Sequence, residues 1–189
     1  MSAKILAFAG SSRSGSLSQK ILGLAVGAAR ARGAEVTLID LRAFDLPIYD
    51  GDLEQREGLP PGAARLHGIF KAYAALLIGV TEYNGGVTPL LKNAIDWASR
   101  PHAGDPNLAA IRGKIVAMVS CSAGPMGGSR AQAHLRQSFQ VMGGILVPET
   151  VTLPYAETAF DGDAPKDPAV LAFTDIVAAR LVALTEKLS

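Results

Sequence analysis

Short apolar runs and helical stripes alternate along this chain from one end to the other. Ile5 to Ala9 is a continuous apolar run of strand length, and Leu17 to Arg30 repeats its apolar residues at helical spacing. Glu35 to Ile39 predicts a second short strand through Val36, Leu38 and Ile39. Residues 40 to 62 are polar and broken by Pro47, Gly51, Gly58, Pro60 and Pro61, which predicts a solvated loop. Ala63 to Tyr73 then reads as a helix. Ala75 to Val80 is apolar on both faces, as a buried parallel strand must be.

The alternation continues through the second half. After a loop at Thr81 to Gly86, Thr88-Pro89 opens a helix with Pro at its first position, and Leu90, Leu91, Ala94, Ile95 and Ala98 form its buried stripe. Lys114 to Ser120 is a fourth strand and Ser129 to Met142 a helix. Ile145 to Val151 is a fifth strand, interrupted near Pro148. Asp167-Pro168 caps a last helix whose Val170, Leu171, Phe173, Ile176, Val177, Leu181 and Leu184 are expected to face the sheet. Five strands alternating with helices predict an α/β, doubly wound, five-stranded parallel sheet with helices on both faces and right-handed crossovers. With no linker-like stretch in 189 residues, one domain spanning 1–189 is expected.

In that architecture a ligand sits outside the carboxyl ends of the strands. Residues 10 to 16, 81 to 87 and 121 to 128 follow strand ends there, and all three loops are rich in Gly, Ser and small polar residues that let a ligand come close. The first reads Gly10-Ser-Ser-Arg-Ser-Gly-Ser-Leu-Ser-Gln19. A strand, a tight loop and a helix N-terminus leave unpaired N–H groups and the positive end of the helix dipole facing one point, which invites a phosphate. Gly10 and Gly15 have the spacing of a nucleoside-triphosphate loop, but Ser16 replaces the required Lys. Ser12 likewise replaces the second glycine of the dinucleotide fingerprint. Five serine hydroxyls with a single guanidinium, Arg13, suit a terminal monophosphate instead. Ser16 and Gln19 also have the spacing of a capping box, which is compatible with anion binding.

Charge and composition narrow the classes further. With 18 basic and 17 acidic residues the net charge is +1, so no nucleic-acid partner is expected. No apolar run approaches bilayer length, and no membrane association is expected. Cys121 stands alone, and the N-terminus enters a strand without a signal core, so a cytoplasmic location is expected. Cys121 itself should pack as a small hydrophobe. A hydrophobic fraction of 49% is consistent with surface buried in an oligomer. His67, His102 and His134 have no metal-type spacing, and no Ser-His-Asp set is evident, so each histidine is expected to be a surface or packing residue. Asp50, Asp52 and Glu54 resemble a calcium loop only superficially, since Gln55 and Pro61 occupy the positions of its glycine and its closing glutamate. Asp40 ends a strand where a ribose-binding acid would stand, but the glycine fingerprint it needs is missing. Trp97 reads as core or subunit contact, and Lys92 with Asp96 as an i,i+4 pair.

Three motifs in order carry a resemblance. Gly10 to Gln19, then Glu82-Tyr83-Asn84-Gly85 with Leu91-Lys92-Asn93-Ala94-Ile95-Asp96-Trp97, then Gly127-Gly128-Ser129-Arg130-Ala131-Gln132 with Leu135-Arg136, resemble the NADPH-dependent FMN reductase family, its quinone and chromate reductase branch in particular. The resemblance implies a flavodoxin-like sheet holding FMN without a covalent link. It implies that Ser11, Arg13, Ser16, Ser18 and Gln19 hold the phosphate. Thr81, Glu82, Tyr83, Asn84 and Gly85 would border the isoalloxazine, and Ser122, Gly127 and Gly128 would close its pyrimidine side. Tyr83, a loop aromatic beside Asn-Gly, would meet the ring edge. The family often has Asn where Ser18 stands and usually Pro where Thr81 stands, which predicts one weaker phosphate contact and a looser turn.

The activity so implied is an NAD(P)H-dependent FMN or quinone reductase. NADPH or NADH would be its co-substrate and a quinone, azo compound, chromate or free flavin its small-molecule acceptor, with ping-pong kinetics and a homodimer or homotetramer assembly. Such chemistry demands no acid, base or nucleophile of the protein, and no catalytic side chain or metal ligand is assigned. Two rivals remain: a flavodoxin-type electron carrier, which needs a strongly acidic face this nearly neutral chain lacks, and a nucleotide-processing transferase with Glu82 as nucleophile.

Overall fold

A computed structural model describes residues 2–188. Five parallel strands, β1 (Lys4–Ala9), β2 (Glu35–Ile39), β3 (Ala75–Val80), β6 (Ile115–Cys121) and β7 (Ile145–Leu153), form one sheet in the order β2-β1-β3-β6-β7. β3 and β6 are buried at every residue and β1 at all but its first, so the sheet's middle is dry on both faces. Alternate side chains divide between two cores. Ile5, Ala7, Leu77 and Ala117 pack under α1 (Leu17–Ala31) and α7 (Pro168–Leu188). Leu6, Phe8, Ile78 and Met118 pack under α3 (Pro61–Ala72), α4 (Pro89–Ala98) and α5 (Ser129–Val141). Strand order reverses between β1 and β3, which places the crevice at their carboxyl ends.

The structure corrects the expected elements at several places. The predicted loop at 40 to 62 contains a 3₁₀ turn, Leu41–Phe44, and a helix, α2 (Gly51–Glu57). No residue of α2 is buried, so it has no apolar stripe to betray it. Its start is fixed by Asp50, whose carboxylate accepts from the N–H groups of Asp52 and Leu53. That is the work of the acidic cluster. Loop 81 to 87 is a hairpin of β4 (Glu82–Tyr83) and β5 (Gly86–Val87), with Asn84 and Gly85 both at positive φ, 51° and 78°. Asn-Gly is the usual sequence for that turn. β7 runs past Pro148 to Leu153. Its pairing with β6 slips there, from Val116 opposite Leu146 to Met118 opposite Thr150.

At the C-terminal end, α6 (Ala156–Ala159) and a small hairpin, β8 (Phe160–Asp161) and β9 (Ala164–Pro165), precede α7. Leu171, Phe173 and Ile176 of α7 do not face the sheet; they are 47%, 56% and 49% exposed. The buried face is Val170, Thr174, Val177, Ala178, Leu181, Val182 and Thr185. Thr174 and Thr185 enter it because each hydroxyl donates to a carbonyl one turn back in its own helix, Val170 and Leu181. Val170, Val177 and Leu181 lie on the expected face; hydrophobicity alone wrongly adds Leu171, Phe173 and Ile176 and passes over Thr174 and Thr185.

Candidate functional site

The three loops meet in one cleft of about 420 Å³. Ser11, Arg13, Gly15, Ser16, Leu17 and Ser18 line it from the turn after β1. Thr81, Glu82 and Tyr83 come from the β3 end, and Cys121, Ser122 and Ala123 from the β6 end. Glu157 of α6 completes the wall. Eight of the thirteen site positions expected from the sequence therefore share one wall: Ser11, Arg13, Ser16, Ser18, Thr81, Glu82, Tyr83 and Ser122.

The first turn is a nest of donors. The N–H groups of Ser14, Gly15, Ser16, Leu17 and Ser18 meet no acceptor among the described residues, as expected for the open start of a helix. Ser11 Oγ accepts from the Arg13 N–H at 3.2 Å, which leaves its own proton free. The capping box does not form: Ser16 makes no cap bond, and its hydroxyl lies 2.8 Å from Ser18 Oγ. Ser18 Oγ in turn lies 2.6 Å from Thr81 Oγ1. The two positions that depart from the resembled pattern are therefore bonded to each other, and that bond ties the first turn to the second instead of loosening it. Arg42 supports the same turn from behind. It donates to the Ser12 carbonyl at 3.1 Å and, through its bond to Asp40, holds that carboxyl below the usual carboxylate range. Asp40 is thus engaged by Arg42 and also receives the Arg42 N–H as cap of the 3₁₀ turn.

Glu82 belongs to the hairpin, but its carboxylate points to α5. Oε1 accepts from Arg130 Nε at 3.0 Å and Nη2 at 2.6 Å, and Oε2 from the Ala131 N–H at 3.2 Å. With the side chain 6% exposed and both oxygens occupied, it is a capping group for the first turn of α5 and a poor nucleophile. Tyr83 is 43% exposed at the cleft edge. Asn84 and Gly85 form the hairpin tip and do not line the cleft.

Gly127 and Gly128 are not lining residues either. Gly128 takes φ 87° as the residue before α5, and a Cβ there would stand 2.8 Å from the Ser120 side chain; one on Gly127 would meet the backbone of Leu153 and Pro154. They let the third loop lie against β6 and β7. Ser120 Oγ donates to the Gly127 carbonyl, and Gln132 Nε2 donates to Ser120 Oγ and the Val151 carbonyl, all at 2.7 Å. Gln19 lies on another side of α1. It lines a hollow of about 300 Å³ with Leu38 and Asp40 and a second one with Gly15 and Ser16, so it stays beside the first turn without lining the three-loop cleft.

Sequence reasoning missed Glu157. The Ala156 N–H donates to the Ser122 carbonyl at 2.9 Å, which docks α6 on the third loop, and no local motif signals that contact. Cys121 is 4% exposed, and burial pushes its thiol up to about 12, so it packs at the strand end. Trp97 is core, its Nε1 donating to the Pro47 carbonyl at 2.8 Å. His67 is a buried packing residue between the Ala98 carbonyl and Asp105, while His134 is exposed. Lys92 and Asp96 make the expected surface pair.

Comparison with known proteins agrees with this geometry. The family model for NADPH-dependent FMN reductases matches residues 3–158. An NAD(P)H-dependent FMN reductase of Pseudomonas aeruginosa is 38% identical over 160 residues, covering 84% of this chain and 81% of that protein. An NAD(P)H:quinone oxidoreductase of Solanum tuberosum is 38% identical over 136 residues, 71% of this chain and 66% of that protein. Among solved structures, the flavoenzyme NAD(P)H:(acceptor) oxidoreductase FerB from Paracoccus denitrificans aligns with a TM-score of 0.78 at 28% identity, covering 98% of each chain.

Proposed function

The chain belongs to the NADPH-dependent FMN reductase family, and from that membership we propose that it holds FMN in the three-loop cleft and reduces a small-molecule acceptor with NADPH or NADH. The observation that carries this is the cluster of unpartnered N–H groups and free serine protons at the β1 turn, opening into the same cleft as the second and third loops. That donor set matches a monophosphate in number and charge, and Arg13 adds the single guanidinium.

Ser11, Arg13, Ser16 and the N–H of Ser18 would hold the phosphate. The hairpin at Thr81 to Tyr83 would border the flavin ring, and Ser122 its far side. When bound, FMN supplies the hydride chemistry. The protein's own contribution is position: the Ser18–Thr81 bond sets the spacing between the first two turns, the Glu82–Arg130 pair fixes the hairpin on α5, and the Gly127–Ser120 contact fixes the third loop. Hydride chemistry carried by the cofactor requires no general base of the protein.

The acceptor would be a quinone, azo compound, chromate or free flavin, reduced after nicotinamide leaves the one open face. The chain would act as one domain. Tyr83, Met126 and Tyr155, exposed on loops bordering the cleft, suit burial by a second copy in a homodimer or homotetramer. The near-neutral charge and the reduced, buried Cys121 suit a cytoplasmic enzyme without nucleic-acid or membrane partners.

The test is an absorption spectrum of the purified protein loaded with FMN, before and after anaerobic NADPH, followed by initial rates against a quinone. Flavin bands that bleach, with parallel double-reciprocal lines, support the proposal. A protein that binds no FMN overturns it, and intersecting lines overturn the one-face sequence. A one-electron carrier would bleach only with a partner reductase present.

A further inference from the structure

The hydroxyls of Ser16, Ser18 and Thr81 form a line, with oxygens 2.8 Å and 2.6 Å apart, along the cleft wall. Ser16 is 7% exposed and Ser18 2%. The line crosses from the helix start to the next strand end because α1 lies tightly on β3: a Cβ on Gly79 would stand 2.8 Å from the Ser18 carbonyl oxygen. Three hydroxyls carry three protons, and the two contacts use two. One proton is left over. If Ser18 kept it, a buried O–H would go unpaired, so it belongs to one end of the line, at Ser16 or at Thr81.

An anion at the β1 turn decides which end. Ser16 adjoins the unpartnered N–H groups, so a phosphate there draws the spare proton to Ser16. Ser18 must then donate to Ser16, and Thr81 to Ser18. Each bond polarises the next, and the last is charge-assisted. Building on the assignment of the cleft to FMN, we propose that Thr81 is a positioning residue for the cofactor's phosphate, acting at a distance through Ser18 and Ser16. The same orientation leaves the Thr81 oxygen as an acceptor toward the part of the cleft lined by Glu82 and Tyr83, so the occupied phosphate turn and the second turn are set together.

The test compares FMN with riboflavin, which lacks the phosphate, by equilibrium flavin-fluorescence titration of the full chain. Thr81→Val keeps the shape and removes the hydroxyl. It is expected to weaken FMN roughly fivefold more than it weakens riboflavin, the equivalent of about 1 kcal/mol. Inorganic phosphate titrated as a competitor of FMN should weaken by the same factor. Thr81→Ser should restore the parent values. Ser18→Ala should weaken FMN at least as much as Thr81→Val, and adding Thr81→Val to it should cost nothing more. Equal losses for FMN and riboflavin, or an additive double variant, would overturn the relay and leave Thr81 as packing only. Unchanged FMN affinity in a folded Thr81→Val protein would overturn it too. A parent protein that binds riboflavin and FMN equally would remove the phosphate assignment itself, whereas one that binds neither would bring down the flavin reading.

Discussion

Replacing Glu82 by Gln separates a structural carboxylate from a chemical one. The carboxylate accepts at both oxygens, from Arg130 on one and from the Ala131 N–H on the other. A carboxamide has one acceptor oxygen and one donor nitrogen, so in either orientation a donor must face a donor. Two losses follow. The ion pair is worth no more than about 1 kcal/mol, because Arg130 is 56% exposed and water screens it. Leaving a part-buried N–H or an amide unpaired costs about 1 kcal/mol more, at the low end for such groups. Glu82→Gln should therefore destabilise the fold by about 2 kcal/mol, or roughly 4–8 °C in Tm for a chain of this size. Urea unfolding of the parent, Glu82→Gln, Arg130→Gln and the double variant would measure it, with a coupling of about 1 kcal/mol expected between the two positions. NADPH oxidation should survive in the folded variant within about tenfold, a barrier change near 1.4 kcal/mol. A Glu82→Gln protein as stable as the parent but inert would refute this reasoning and restore a chemical role to the carboxylate.

Two further expectations concern titratable groups. Lys114 is 7% exposed, and burial lowers its ammonium to about 8 from 10.5. The unfolded chain then binds the extra proton between those values, so stability should rise with pH across about 8 to 10.5, relative to Lys114→Met, with a ceiling of about 3 kcal/mol. Paired urea titrations at both ends of that window check it, and a difference independent of pH would count against it. Cys121, with its thiol raised to about 12, should resist iodoacetamide at pH 8 in the native protein and react only after unfolding. Stoichiometric native labelling seen by mass spectrometry would contradict the buried placement.

The sheet was legible because its strands are extreme. Ala75 to Val80 carries no polar residue, and a run apolar on both faces has few places to go but the middle of a parallel sheet. The β1 turn was legible for a local reason as well: its donors, its glycine and its helix start are contiguous. What escaped was set by distant contacts. Nothing near Gln19 says that α1 keeps it out of the three-loop cleft, and nothing near Glu157 says that α6 docks on Ser122. The α7 face was legible only in part: Val170, Val177 and Leu181 mark it, but it also takes Thr174 and Thr185, which no hydrophobic count rewards. The hairpin at Asn84-Gly85 did carry its signal, in a turn sequence that also serves as an ordinary loop.

Those distant contacts share one placement. Ser18 reaches Thr81 across 63 residues, Glu82 reaches Arg130 across 48, and Ser120 holds Gly127 while Gln132 holds Ser120 and the β7 backbone. Taken in space, they run around the cleft from the first turn to the hairpin, to the start of α5 and to the third loop. A cofactor that brings its own chemistry asks the protein for three loops held at fixed separations and for little else. Each loop alone is a short run of small residues with little apolar surface to bury, and would be mobile. Polar ties between them supply the rigidity that packing cannot. Ser18, Glu82, Ser120 and Gln132 accordingly serve to hold the walls in place, and the donors left over, at Ser11, Ser16 and the open N–H groups of α1, are the ones a ligand can use.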